Sequence, residues 1–483
     1  MRTYPHLLLF LFGFLCNFFV VQAFGLSDEA DMKVPQPIVD ERVELLGIVF
    51  RLAGSPEYQK VVFDEYDDAI NKHFAPFKTH TVIRSASLLR STSGISFDAV
   101  MNYAVHISIE EGRVVFPNAD SEKTLEKLEY RWKPAAAKLF AEQLDDFYVK
   151  SRFREFFEAN SEMYQKTEQR IKEINDKVDY SWFKKFYGDA DLEHLHVFLS
   201  NINENKGYGP SCLFKDGHKE CFAIIGVCGP NAPYREDGYI SLIIHEFSHS
   251  FCNPLVDRHI DGLKPAAERI FPLVTDTMAR QVCSTPLAML YEYLVHACVI
   301  HYWITHGNTT NADGLLRYDR SLGFLWLEEL VEVLGCYEQE RDKYLTLDDF
   351  MPEIVKLQNA IVTDEYIAEL RKQEESRPKI TVINPPNGAK NVDPSITEIA
   401  ITFDRPMMDD LGWNTQNAGR MFPERSEHSP LVWSDDKRTC TLSHVVLRPG
   451  RMYNYRIGGA ENFRSADGVL LTPIFYTFTT RAE

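Results

Sequence analysis

Apolar residues recur at three- and four-residue spacing through most of the chain up to about residue 375, and in alternation beyond it. That change of period predicts a mainly helical part followed by a strand-rich one. The run Arg42-Val-Glu-Leu-Leu-Gly-Ile-Val-Phe-Arg-Leu-Ala53 predicts a helix that stops at Gly54. Further helical periodicity lies between Ala135 and Phe186, and its dense charge, as in Phe153 to Val178, predicts a solvated face. Two β-branched and aromatic runs, His194 to Ile202 and Cys221 to Val227, predict short strands separated by a segment containing Gly207-Tyr-Gly-Pro210. A very apolar helix follows from Tyr239. Asn253-Pro254 predicts its end, because the residue before a proline is driven out of helical geometry. A second apolar helix, Leu287 to Trp303, starts at Ser284-Thr285-Pro286, with Thr285 as N-cap and proline in the first turn, and stops at His306-Gly307.

After the charged stretch Arg371 to Ser376 the runs shorten. Ile380 to Ile383, Glu398 to Phe403, Thr439 to Ser443, Tyr453 to Ile457 and Phe475 to Thr479 are separated by turn signals such as Asn384-Pro-Pro-Asn-Gly388. This predicts a small antiparallel β-sandwich. Tyr453, placed after the turn Arg448-Pro-Gly-Arg451, stands where a tyrosine corner requires one.

A chain of 483 residues, 45% hydrophobic and 12% aromatic, has room for two or three domains. Arg2, the Leu/Phe-rich run Leu7 to Val21 and Val21-Gln-Ala23 read as a signal segment over residues 1–23, with an uncleaved anchor as the alternative. The expected protein is therefore exported: periplasmic, cell-surface or extracellular. A net charge of −18, from 52 basic and 70 acidic side chains, argues against nucleic acid as a partner. Cys16 falls within the signal segment. Cys212, Cys221 and Cys228 cluster, so one pair there could close a disulfide; Cys283, Cys298 and Cys336 read as buried small hydrophobes. No Cys-x-x-Cys pair occurs, so any metal site rests on histidine and carboxylate.

The richest chemistry is His245-Glu-Phe-Ser-His249. Histidines four apart on a helix differ by about 400° of rotation and share a face, where both can bind one zinc ion. Glu246 can then take a proton from water beside the metal. The flanking residues, Tyr239 to Ile244, Phe247 and Phe251, are apolar, so the helix is buried and its histidines need a partner. A third histidine six residues after His249 is excluded by Leu255, and His259 would have to fold back. Glu292, in the otherwise apolar helix 287–303, is the better third ligand; the alternative is a carboxylate paired with Arg269 or Arg280. His296 shares its face, either to support a ligand or as a core histidine bonded to a carbonyl.

A glutamate ligand on a downstream helix resembles the gluzincins, the thermolysin-like zinc peptidases. Together with Arg42-Val-Glu-Leu-Leu46, the layout over roughly residues 38–370 resembles a family of secreted Bacteroidetes-type proteins of unknown function. The tail from Lys379, with Asn384-Pro-Pro-Asn-Gly-Ala and Ile401-Thr-Phe-Asp-Arg-Pro-Met, resembles the Ig-like domains of bacterial surface-layer proteins. The resemblance implies an α+β chain: a mainly helical zincin-like metallopeptidase domain with a small β-sheet over 24–376, then an all-β Ig-like sandwich over 377–483. It implies Zn2+ held by His245, His249 and Glu292, with Glu246 as general base for peptide-bond hydrolysis. One departure is plain: gluzincins often carry Asn-Glu-x-x-x-Asp, and here Tyr291 and His296 stand at the outer positions. Tyr208, Tyr239, Tyr293, His296 and His301 are candidate donors to the oxyanion, with His296 the catalytic choice. The strand 221–227 is expected at a sheet edge, where an extended peptide could pair with it. Two rival functions follow from the same residues. One is a surface binding protein docking to glycan or protein through its Ig-like tail, with a vestigial metal site; the other is a zinc amidohydrolase acting on a non-peptide amide.

Overall fold

The computed structural model describes residues 34–59, 63–116, 128–188, 194–203, 206–214, 217–227, 235–279, 281, 283–409, 422–426, 431–458 and 463–482. The signal segment expected over 1–23, Cys228 and Arg280 lie outside them.

The first long helix, Glu41–Leu52, is capped by the Asp40 side chain, which accepts from the amides of Arg42 and Val43. Arg42 turns back to chelate Asp40, donates to the Ile107 carbonyl and lies over the Phe198 ring. Glu44 is wholly buried and accepts from the Tyr66 hydroxyl (2.5 Å) and the Asn201 amide (2.7 Å). The Arg-x-Glu-Leu-Leu run thus ties helix to sheet. The helices Pro134–Lys150, Phe153–Ala159, Ser161–Asn175 and Ser181–Tyr187 follow where the periodicity placed them.

The sheet runs Ile38–Val39, Leu195–Ser200, Lys219–Gly226, Gly207–Tyr208, with Ser211–Leu213 also paired to Lys219–Gly226. The first three strands are parallel, and the last two antiparallel to Lys219–Gly226. The strand expected at the edge is therefore internal. Its run Cys221 to Val227 is buried at every residue, as a strand covered on both faces must be, and the returning segment 207–213 takes the edge.

Above the sheet the helix Glu236–Arg258 continues straight through Pro254, against the expected stop at Asn253. Proline deprives the carbonyl four residues back, that of Ser250, of its donor. Lys219 Nζ donates to that carbonyl at 2.7 Å, so the helix survives the proline. The helix Pro286–Thr305, capped by Thr285, packs against Glu236–Arg258, Ile260–Ala279, Thr309–Ser321 and Leu327–Gln339. It is long and apolar enough to cross a membrane, but 67% of that apolar window is buried in protein, which makes it a core helix. Cys298 is buried there, its sulfur 3.8 Å from that of Cys252. Two cysteine expectations fail in detail. Cys283 is buried but precedes the helix, and Cys336 is exposed because Leu330, Val331, Leu334 and Tyr337 carry the apolar face around it.

The C-terminal region has its own core, centred on Ile399, Ile401, Phe403, Leu442, Tyr455 and Phe478. One sheet pairs Val432–Trp433, Thr439–Ser443, Glu398–Phe403 and Ile380–Asn384, all antiparallel. The other pairs Met452–Ile457 with Ile474–Thr480, and Ile474–Thr480 in turn with Ala389–Val392. That last pair is parallel, so the sandwich is mixed where an antiparallel one was expected. The Tyr453 hydroxyl accepts from the Arg448 amide at 2.8 Å, closing the tyrosine corner.

Candidate metal centre

His245 and His249 lie one turn apart on Glu236–Arg258, and Glu292 faces them from Pro286–Thr305. The imidazole Nε2 atoms are 3.1 Å apart. Glu292 Oε2 is 3.4 Å from the first and Oε1 3.5 Å from the second. For a tetrahedral zinc with bonds of about 2.05 Å, neighbouring ligand atoms stand about 3.3 Å apart. Each Glu292 oxygen stands near that spacing from one imidazole, and the three groups can surround one ion while leaving a fourth position for water or substrate. The ligand side chains keep 16–24% of their exposure, so that position is reachable from solvent.

His249 directs Nδ1 to Asn253 Oδ1 at 3.2 Å, which turns Nε2 to the site. His245 is kept well below the usual imidazole range by burial, then by the charges of His249 and His296; it is neutral at pH 7, as a ligand must be. Burial also acts to lower His296, but the charge and hydrogen bond of Asp319 (2.8 Å from Nδ1) and the charge of Glu292 outweigh it and raise it. Its Nε2 then faces Glu292 Oε2 at 3.7 Å, and its ring lies 4.4 Å from that of Phe324. Glu246, only 5% exposed, is pushed well above the carboxylic range by burial and then by Glu292. Burial and the charge of Glu292 both disfavour the ionised form of Glu246, and a divalent cation between the imidazoles would offset them. Gly207 and Gly209 close over Glu246: a Cβ on Gly207 would stand 2.1 Å from Glu246 Oε1, and one on Gly209 2.1 Å from the Glu246 carbonyl oxygen.

The alternative partner Arg280 for Glu292 lies outside the described residues. Arg269 bonds the Val362 carbonyl and Asp364, not Glu292. His259 bonds Asp348 at 2.8 Å and takes no part in the cluster. His301 faces Glu338 and Phe186, and the Tyr293 hydroxyl is committed to Gly323 and Leu325. His296 is bonded to a carboxylate, not to a carbonyl. Sequence reasoning missed Asp319, Asn253 and the two glycines. Asn253 carried a signal, four residues beyond His249; Asp319 carried none, since it arrives from another helix.

Fold and site together define a helix-rich domain with a His-His-Glu cluster, followed by a β-rich domain. Residues 38–357 match the family described as Domain of unknown function (DUF4932), and the chain belongs to that family. Residues 374–480 match the Bacterial Ig-like domain. No curated protein matches. Among solved structures, the crystal structure of the S-layer protein rSbsC(31-844) is similar at 13% identity over 82% of this chain and 46% of that one, with a TM-score of 0.14. The chain thus spans less than half of that protein's length, and the superposition is too loose to equate the folds.

Proposed function

We propose that the helical domain is a zincin-like, zinc-dependent peptidase of an exported protein, with His245, His249 and Glu292 as metal ligands and Glu246 as general base. The observation that carries this reading is the gathering of one ligand atom from each of His245, His249 and Glu292 within 4.8 Å of one another, the two imidazole Nε2 atoms 3.1 Å apart, with a buried carboxylate one residue from the first ligand. When bound, zinc supplies Lewis acidity toward water and the scissile carbonyl. Glu246 accepts the proton of the attacking water and returns it to the leaving amine. Its burial under Gly207 limits competing water. Bonded to Asp319, His296 faces Glu292 and stands as a donor toward the developing oxyanion. Gly207–Tyr208, the terminal strand of the sheet beside Glu246, is the edge on which an extended peptide would add by main-chain hydrogen bonds. The Ig-like domain serves as spacer or docking module toward a cell surface or glycan.

A peptide library incubated with the full chain, with and without chelator, tests this reading. Cleavage that stops on chelation and returns with Zn2+ is expected. Bound zinc without cleavage would favour a binding protein, and cleavage of small amides but no peptide would favour an amidohydrolase.

A further inference from the structure

A second group of metal-ligating side chains gathers where the strands Leu195–Ser200 and Lys219–Gly226 begin. His194 precedes the first strand, and its carbonyl accepts from the Cys221 amide, which extends the ladder and sets Glu220 beside it. His218 closes the turn joining Ser211–Leu213 to Lys219–Gly226, where the Phe214 amide donates to the His218 carbonyl at 2.9 Å. The Phe214 ring stacks on the His218 ring at 4.4 Å, and the His194 and His218 rings are 4.9 Å apart.

We propose that His194, His218 and Glu220 form a second metal site, structural in role, for a divalent transition ion of the zinc type. One ligand atom from each lies within 4.8 Å of the other two, and the group shares no residue with the His245 site. The Glu220 carboxylate is divided between two imidazoles, Oε1 3.8 Å from His218 Nε2 and Oε2 3.8 Å from His196 Nε2. Both separations exceed a hydrogen bond. The buried His196 Nε2 has no hydrogen-bond partner among the described residues, an orphaned atom aimed at the same carboxylate. Tetrahedral ligation at about 3.3 Å edges requires donors within 4.8 Å of one another to close by up to about 1.5 Å, within reach of side-chain rotation. Two imidazoles and one carboxylate select zinc, nickel or copper over calcium or magnesium.

The role follows from Lys219, which lies between the two ligands His218 and Glu220. Its Nζ donates to the Ser250 carbonyl, one residue past His249. An ion that fixes this turn therefore also fixes the lysine that sustains the His-Glu helix through Pro254.

The test is zinc stoichiometry on the full chain, stripped by chelator, reloaded with Zn2+ and freed of excess metal by gel filtration. Wild type is expected to hold two equivalents, and Glu292→Ala one. His218→Gln and Glu220→Gln, both at partly exposed positions, are each expected to hold one. In thermal unfolding, added Zn2+ is expected to raise the Tm of Glu292→Ala and to leave that of Glu292→Ala/His218→Gln unmoved. A single equivalent in wild type that Glu292→Ala abolishes, or a count unchanged from wild type in both His218→Gln and Glu220→Gln, overturns the proposal. The two sites fail separately: a count unaffected by Glu292→Ala sinks the peptidase ligand set and leaves this one standing.

Discussion

A Cβ on Gly207 would stand 2.1 Å from Oε1 of Glu246, so any larger residue there displaces either the edge strand or the carboxylate. Displacement of a general base by about 1 Å can cost on the order of 10²-fold in rate. Gly207→Ala is accordingly expected to lower kcat/KM by about that factor with zinc content unchanged; an unaltered rate would detach Glu246 from the chemistry. Asp319 works one step further out, through His296. Its replacement by Asn removes the charge that raises the proton affinity of His296, and zinc affinity is expected to fall about 10- to 100-fold. A competitive chelator titration reads this, and an unchanged affinity would reduce Asp319 to a packing residue.

Among the elements, the His-Glu helix depends on a lysine outside it. Lys219→Met keeps most of the apolar stem but leaves the Ser250 carbonyl without a donor, at an expected cost of about 1–3 kcal/mol in urea unfolding. Pro254→Ala restores the backbone N–H, so the double variant should recover part of that loss; strict additivity of the two changes would refute the compensation. The same pair explains a limit of sequence reading. Pro254 announces a helix end by a local rule, and the rule is overridden by a side chain 35 positions away in sequence, which no local pattern reveals. The strands Glu398–Phe403 and Thr439–Ser443 were legible because each reports its own alternation; the parallel pairing of Ala389–Val392 was not, since direction is settled between strands. In the candidate site, His245, His249 and Glu292 were legible from helical spacing and from one charge in an apolar run, and the structure brings their ligand atoms together. Asp319 and Gly207 come from other elements and left no trace in the helix pattern.

At the scale of the whole molecule, two separate cores mark the helical and β-rich parts, and the larger one encloses a titratable group. Burial pushes Glu44 up to about 7, against the opposing hydrogen bonds of Tyr66 and Asn201. A folded-state value above the ordinary one means that the folded protein favours the protonated form. The resulting stabilisation is complete below about pH 4.5 and is lost as pH rises through 7. The shift corresponds to about 3 kcal/mol. Glu44→Gln is always neutral, so the stability difference between wild type and variant should change by about that amount between pH 4.5 and 8, read by urea unfolding at each pH; a difference independent of pH would show Glu44 ionised throughout. The central claim, that the cluster in this core is a hydrolytic zinc centre, is tested most directly by measuring zinc content and peptide cleavage together on wild type, Glu246→Gln and Glu292→Ala. Glu246→Gln is predicted to keep its zinc at the His245 site and lose cleavage by several orders of magnitude, while Glu292→Ala loses cleavage and the zinc of that site alone. Cleavage that persists in Glu246→Gln, or zinc occupancy unchanged in Glu292→Ala, would contradict it.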